Sequence, residues 1–311
     1  MATCQFRPVL YEGFQALELA NDHVRLIALP EIGGKIASIL HPPTQHEWLW
    51  RNPYLSYRRP EYDTSYIRLG DLGGLDECFP TVAPTAYPAP PWAGTAIPDH
   101  GELWCQAWET TALDISDQRM VWSAVCHGVR LPYRFERTLI LEADSPGFEL
   151  RYRVSNPTAF PMPFVWCIHP LLKLAPGMRL SLPAGIESAQ VGSDRQIEAL
   201  DDWLTIPPPE AGRAVKAYLT LAAGSSPVET ALIYGERSLR FQFVPDEISH
   251  VGLWLNYGGW SGLNGPPYYN LGLEPCIGSS DSLAEAAAHP RQHGQIPPQA
   301  ERRWSLTVRL T

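Results

Sequence analysis

A two-residue hydrophobic period runs through this chain wherever its pattern is clear. Phe148, Leu150, Tyr152 and Val154 alternate with Glu149, Arg151, Arg153 and Ser155. Near the C-terminus Trp304, Leu306, Val308 and Leu310 alternate with Arg303, Ser305, Thr307 and Arg309. Only an extended strand sends successive side chains to opposite faces, so both segments read as strands buried on one face. The segment beginning at Tyr133 has the same period. It is joined to the one at Phe148 by Asp144-Ser145-Pro146-Gly147, a turn sequence, so the two read as a hairpin-like pair. Further strands are expected at 23–29, 35–40, 119–125, 164–168, 230–234, 239–244 and 250–256.

Helix signals are scarce. Ser282-Leu283-Ala284-Glu285 has capping-box spacing, and the alanine-rich turn after it stops at Pro290. Proline, at 31 of 311 residues, is roughly twice its usual share and breaks helix interiors. Eleven Trp and 13 Tyr suit a pleated, half-buried surface. The expected fold is all-β, a large antiparallel sandwich with very little helix. No linker, charge block or repeat divides the chain, so residues 1–311 are expected to form one domain.

Charge excludes several functions. Lys+Arg 24 against Asp+Glu 33 gives −9, with no basic run to follow a nucleic-acid backbone or an anionic membrane. The N-terminus lacks signal-peptide architecture. The apolar stretch from Ala159 to Leu172 is broken by Pro161, Pro163, His169 and Pro170 and is too short to span a bilayer. A soluble, cytoplasmic protein is expected. The six cysteines form no CxxC pair and are expected as buried, reduced thiols. GxSxG, Walker, GxGxxG and HExxH motifs are absent, and Gly33-Gly34 reads as a tight turn.

Three polar residues stand in apolar or aromatic settings. These are His100 in Pro98-Asp99-His100-Gly101-Glu102, His169 at the end of Phe164-Val165-Trp166-Cys167-Ile168, and Glu274 in Leu271-Gly272-Leu273-Glu274-Pro275-Cys276. A carboxylate closing an apolar strand is costly to desolvate and needs a partner. The three lie 69 and 105 residues apart, so only the fold could unite them.

In this order the motifs resemble those of the aldose 1-epimerase, or galactose mutarotase-like, superfamily. Leu29-Pro30-Glu31-Ile32-Gly33-Gly34-Lys35-Ile36 and Ile296-Pro297-Pro298-Gln299-Ala300-Glu301 extend the resemblance over about residues 10 to 311. The family's strand-terminal H-x-Y-F is here His169-Pro170-Leu171-Leu172, and its final P-G-E is degraded, which marks a divergent member. The resemblance implies a β-supersandwich that interconverts the anomers of a sugar. Glu274 would be the base on the anomeric hydroxyl, His169 the acid that protonates the ring oxygen, and His100 a substrate-binding residue near that oxygen. A carboxylate and an imidazole can move both protons without metal or cofactor, so none is expected.

Other candidates for the sugar site are Trp254 and Asn256 on one strand face, Asp76 and Glu77 after a glycine pair, and Arg68 upstream. The glycine pair and its acids resemble a G-G-x-D-E stretch of related bacterial proteins. The expected partner is a monosaccharide. With only Arg68 and Lys173 close in sequence to these motifs, and Arg51, Arg58 and Arg59 on a Tyr/Pro-rich loop, an uncharged aldose is expected over its 6-phosphate. Two rival readings stay open: a non-catalytic sugar-binding or regulatory protein on the same fold, and a glycoside hydrolase or lyase, the hydrolase using Glu274 with Asp76 or Glu77.

Overall fold

The computed structural model describes residues 3–191, 203–262 and 265–311. It is a β-sandwich of two large antiparallel sheets. The larger has 11 strands, in the order Gln5–Tyr11, Phe14–Ala20, Arg25–Leu29, Lys35–His41, Gly74–Cys78, Trp166–Lys173, Tyr269–Ile277, His250–Tyr257, Arg213–Leu221 and Ile186–Val191, with the short His46–Glu47 paired to Lys35–His41. The smaller has 8, in the order Arg179–Ser181, Val228–Tyr234, Arg237–Phe243, Ala300–Leu310, Gly147–Asn156, Arg134–Glu142, Arg119–His127 and Glu109–Ile115. The expected hairpin is present: Arg134 to Leu141 pairs residue by residue with Ser155 to Phe148.

One core joins the sheets. Leu75, Ile168, Leu253 and Leu273 of the larger sheet share a cluster with Phe135, Leu150, Tyr152 and Trp304 of the smaller. In the larger sheet, residues on either side of these in sequence point the other way. Asp76, His169 and Glu274 therefore share its outer face, close to the centre of the sheet. That placement fixes where the chemistry lies.

The capping box forms as read: Ser282 accepts a hydrogen bond from the amide of Glu285 at the start of the α-helix Leu283–Ala287. All six cysteines are free and buried. Gly33 and Gly34 take φ of 62° and 61° in a turn, and a Cβ on Gly33 would lie 2.7 Å from the Trp104 backbone. Among the described residues no helix is long and apolar enough to cross a membrane.

Several strands escaped the sequence pattern. Gln5–Tyr11 and Phe14–Ala20 join through Glu12-Gly13, both at positive φ (51° and 85°), the backbone that a two-residue hairpin demands. Glu109–Ile115 is exposed along its whole length and carried no one-sided signal, whereas Arg213–Leu221 does alternate, with Val215, Ala217, Leu219 and Leu221 against Lys216, Tyr218 and Thr220, and was readable. Gly74–Cys78, which was not among the expected strands, is a fully buried strand between Lys35–His41 and Trp166–Lys173.

Candidate active site

Glu274 is wholly buried, and the sheet makes room for it with two glycines. Gly252 is its cross-strand partner and Gly272 precedes it on the same strand face. A Cβ on Gly252 would lie 2.8 Å from Glu274 Oε2, and one on Gly272 would collide with Oε1. Pairing of Trp166–Lys173 with Tyr269–Ile277 then brings His169 across from it, with Nε2 3.7 Å from Oε1. Oε1 has no hydrogen-bond partner among the described residues, nor has His169 Nδ1.

The other oxygen is occupied. Lys216 Nζ, from Arg213–Leu221, donates to Glu274 Oε2 at 2.6 Å and lies 3.6 Å from Asp281 Oδ1. Burial opposes the charge on Lys216, but the carboxylates of Glu274 and Asp281 outweigh it and push its pKa up. His169 moves the other way. Burial, helped by His100, Lys216 and Lys35, pushes its pKa well below the usual value, so its resting form at pH 7 is the neutral imidazole.

His100 reaches the same place through an unusual backbone. It has φ of 61°, sparsely populated for a residue with a side chain, and Gly101 follows at 74°. A Cβ on Gly101 would run into the Phe79 carbonyl, which is why glycine follows the histidine. The His100 ring stacks on Tyr66 with centroids 3.6 Å apart and meets His169 edge-on at 5.1 Å. Its Nδ1 lies 3.0 Å from Asp99 Oδ1.

His169, Lys216 and His100 border a cavity of about 270 Å³, with Glu274 directly behind His169 and Lys216. Trp254 and Trp260, whose rings meet edge-on at 5.5 Å, form its aromatic wall. Two depressions of about 410 Å³ elsewhere have neither His169 nor Glu274 near them: one lies over Arg153 and Arg303 of the smaller sheet, the other beside Tyr11 and Arg25.

The remaining expected site residues sit differently. Trp254 lines the cavity. Asn256 does not; it is fully buried and ties the turn after it, accepting from the amides of Gly259 (3.3 Å) and Trp260 (3.2 Å) and donating to the Trp260 carbonyl. Its effect is to place Trp260 on the wall. Asp76 faces the site side but lies behind the lining, bound by Lys35 Nζ at 2.6 Å and Tyr66 OH at 3.1 Å. Glu77 requires correction. It follows Asp76 in a strand, so it points into the core between the sheets. There it accepts from Arg137 (3.1 Å), Tyr152 (2.9 Å) and the Trp166 indole (2.9 Å) and cannot meet a sugar. Arg68 is exposed and is not among the residues that line the cavity. Arg51 and Arg59 pair with Glu12 and Glu31 and lie outside it too.

Sequence reasoning missed Lys216, Asp71, Tyr268 and Asn270, which line the cavity. Asn270 opens the same strand as Glu274, with period-2 spacing, and that was the one available signal. Among the described residues no group of three or more His, Cys, Asp or Glu is gathered to hold a metal ion.

No protein-family profile and no curated protein matches this sequence. Solved structures do. A Klebsiella pneumoniae protein described as a candidate aldose 1-epimerase superimposes with a TM-score of 0.76 at 17% identity, over 99% of this chain and 83% of that one. A galactose mutarotase-like protein from Clostridium acetobutylicum gives 0.68 at 11%, over 99% and 98%. One from Lactobacillus casei gives 0.61 at 15%, over 95% and 100%. The sandwich described above is thus the fold of the aldose 1-epimerase and galactose mutarotase-like structures, in a chain that shares little sequence with them.

Proposed function

We propose that this protein is a mutarotase that interconverts the α and β anomers of an aldose. The observation that carries the reading is the carboxylate–imidazole pair: Glu274 Oε1, buried and unpartnered, 3.7 Å from His169 Nε2 at the cavity. Ring opening needs one proton removed from O1 and one delivered to the ring oxygen, and a base and an acid side by side fit that demand. Glu274 takes the O1 proton, and His169, as imidazolium, gives one to the ring oxygen as the C1–O bond breaks. After rotation about C1–C2 the transfers reverse and the ring closes on the other face. The Trp254–Trp260 wall suits the apolar face of a pyranose, and His100 lies on the ring-oxygen side of His169.

Depression of the His169 pKa has a kinetic consequence. Its imidazolium is a stronger acid than free histidine but a minor species at pH 7. The alkaline limb of kcat/KM is therefore expected below pH 6.5. A limb above pH 9 would instead assign the acid to Lys216, the other protonated group on Glu274.

The test is exchange between anomers followed by NMR across a panel of aldoses. Glu274→Gln and His169→Asn should each slow exchange at least 100-fold, in line with about 10²–10⁴-fold per acid or base. The double variant should lose much less than the product of the two. Wild-type rates in either single variant would end the assignment. A panel of glycosides run alongside separates a hydrolase, and sugar binding without turnover separates a binding protein. The pairing that a hydrolase would need from Asp76 or Glu77 is disfavoured, since Asp76 is held by Lys35 and Tyr66 and Glu77 is enclosed in the core by Arg137, Tyr152 and Trp166.

A further inference from the structure

Asn270 is completely buried, yet neither its amide nitrogen nor its amide oxygen has a hydrogen-bond partner among the described residues. A buried polar group left unpaired is costly, and this one lines the cavity. Asp71 lines it too, only 5% exposed, its carboxylate without a hydrogen bond among the described residues. Both groups belong to the cavity that holds His169: Asn270 is displaced along the strand from its acid–base end, and Asp71 is tied to that side through Asn52, which donates to the Asp71 carbonyl and to the Tyr268 hydroxyl.

Register defines that distance. Asn270, Gly272 and Glu274 share one face of one strand, and Glu274 folds its carboxylate back over Gly272, where a Cβ would collide with Oε1. The acting oxygen is therefore about two residues, or about 7 Å, along the strand from Asn270. A pyranose seated against Trp254 and Trp260, with a hydrogen bond of about 2.8 Å at each end, has the length to reach both groups. Resting on the mutarotase reading, the anomeric end lies at Glu274 and His169. The opposite end of the ring then meets Asn270 and Asp71.

We propose that Asn270 and Asp71 form the recognition site for the non-anomeric end of the sugar, selecting free hydroxyls and rejecting an anionic substituent there. A carboxamide offers one donor face and one acceptor face, which a hydroxyl can satisfy together. A carboxylate only accepts: it takes a hydrogen bond from a hydroxyl and repels a phosphate or a second carboxylate. No Lys or Arg here is free to bind such an anion: Lys216, the only one among the described lining residues, is held by Glu274, and Lys35 behind the lining is held by Asp76. The substrate class is a neutral aldose, unmodified at that end, rather than a sugar 6-phosphate or a uronate.

The test measures binding, so it does not depend on turnover. Affinities of wild type, Asn270→Ala, Asn270→Asp and Asp71→Asn are titrated for glucose, galactose, their 4- and 6-deoxy analogues, and glucose 6-phosphate. Asn270→Ala should weaken a parent sugar about tenfold and leave unchanged the analogue that lacks the hydroxyl it reads. Because its amide has no partner, the same change should not lower the Tm, a combination that a purely structural residue would not give. Asp71→Asn should improve the affinity for glucose 6-phosphate relative to glucose at least tenfold. Unchanged ratios in the Asp71 and Asn270 variants, or a wild type that prefers the phosphate, would overturn the proposal. Selective binding with no anomer exchange would sink the mutarotase reading and leave this site standing. Exchange with unaltered selectivity would do the reverse, and no binding of any aldose would remove both.

Discussion

Glu274 depends on Lys216 as much as on the strand that carries it. The Lys216 ammonium holds Glu274 Oε2 at 2.6 Å and leaves Oε1 turned toward His169. Lys216→Met removes the donor that fixes the carboxylate and should lower kcat by about 10–100-fold, the cost of a misplaced reacting group. Lys216→Arg keeps a donor and a charge and should recover part of that loss. Anomer exchange by NMR on the three proteins decides the matter, and a wild-type rate in the methionine variant would show that the pair does not position the base. Lys216 was not legible in the sequence. It sits on the less apolar face of Arg-Ala-Val-Lys-Ala-Tyr-Leu-Thr-Leu, where a lone lysine reads as solvated, and its importance comes from a carboxylate 58 residues away.

Strands decide which neighbours in sequence can act together. Asp76 and Glu77, both expected at the sugar site, are separated by the pleat: one side chain goes to the site face and the other into the core. No local pattern distinguished that strand from a charged turn, because its burial depends on strands from residues 35 and 166 closing on either side. The strand His250–Tyr257 shows the same dependence. Trp254 meets the cavity, while Asn256 serves the turn that carries Trp260. Asn256→Ala would leave the amides of Gly259 and Trp260 unpaired, at a cost of about 1–3 kcal/mol in a denaturant melt. With Trp260 loosened, KM for the aldose should rise several-fold and kcat change less. An unchanged KM would remove Trp260 from the binding wall.

Across the whole molecule, burial of titratable groups links stability to pH. His250 is held neutral by its setting: burial, with Arg291 nearby, lowers its pKa to about 4, and its Nδ1 accepts from the Gly278 amide at 3.3 Å. Between pH 6.5 and 4 the unfolded chain binds a proton here that the folded chain refuses, so this contribution falls as the pH falls. Its size is on the order of 3 kcal/mol at 1.36 kcal/mol per pH unit. His250→Gln lacks the proton-binding group, so its stability difference from wild type should narrow by that order between pH 7 and pH 4 in parallel melts. A difference that stays constant with pH would show that the ring is protonated in the fold. Asp71 has the opposite sign. Burial pushes its carboxyl up to about 6, with His100 and Lys35 pulling the other way, so its contribution grows as the pH falls from 6 toward 4.

By itself the sequence determined the kind of element and much of its extent. Alternation at 148–155 and 303–310, the turn at Asp144–Gly147 and the cap at Ser282 are local, and backbone sterics with one-sided burial are enough to impose them. Motif order also pointed to the sandwich. What only the tertiary structure decided was which faces meet and at what distance. His169 and Glu274, 105 residues apart, come to 3.7 Å because two central strands pair in one register. Glu77 is lost to the core by the same pleat that brings Asp76 to the site side. The physical reason is that a strand's own period fixes only the alternation of its side chains, while the neighbour across the ladder is chosen by pairings between distant parts of the chain.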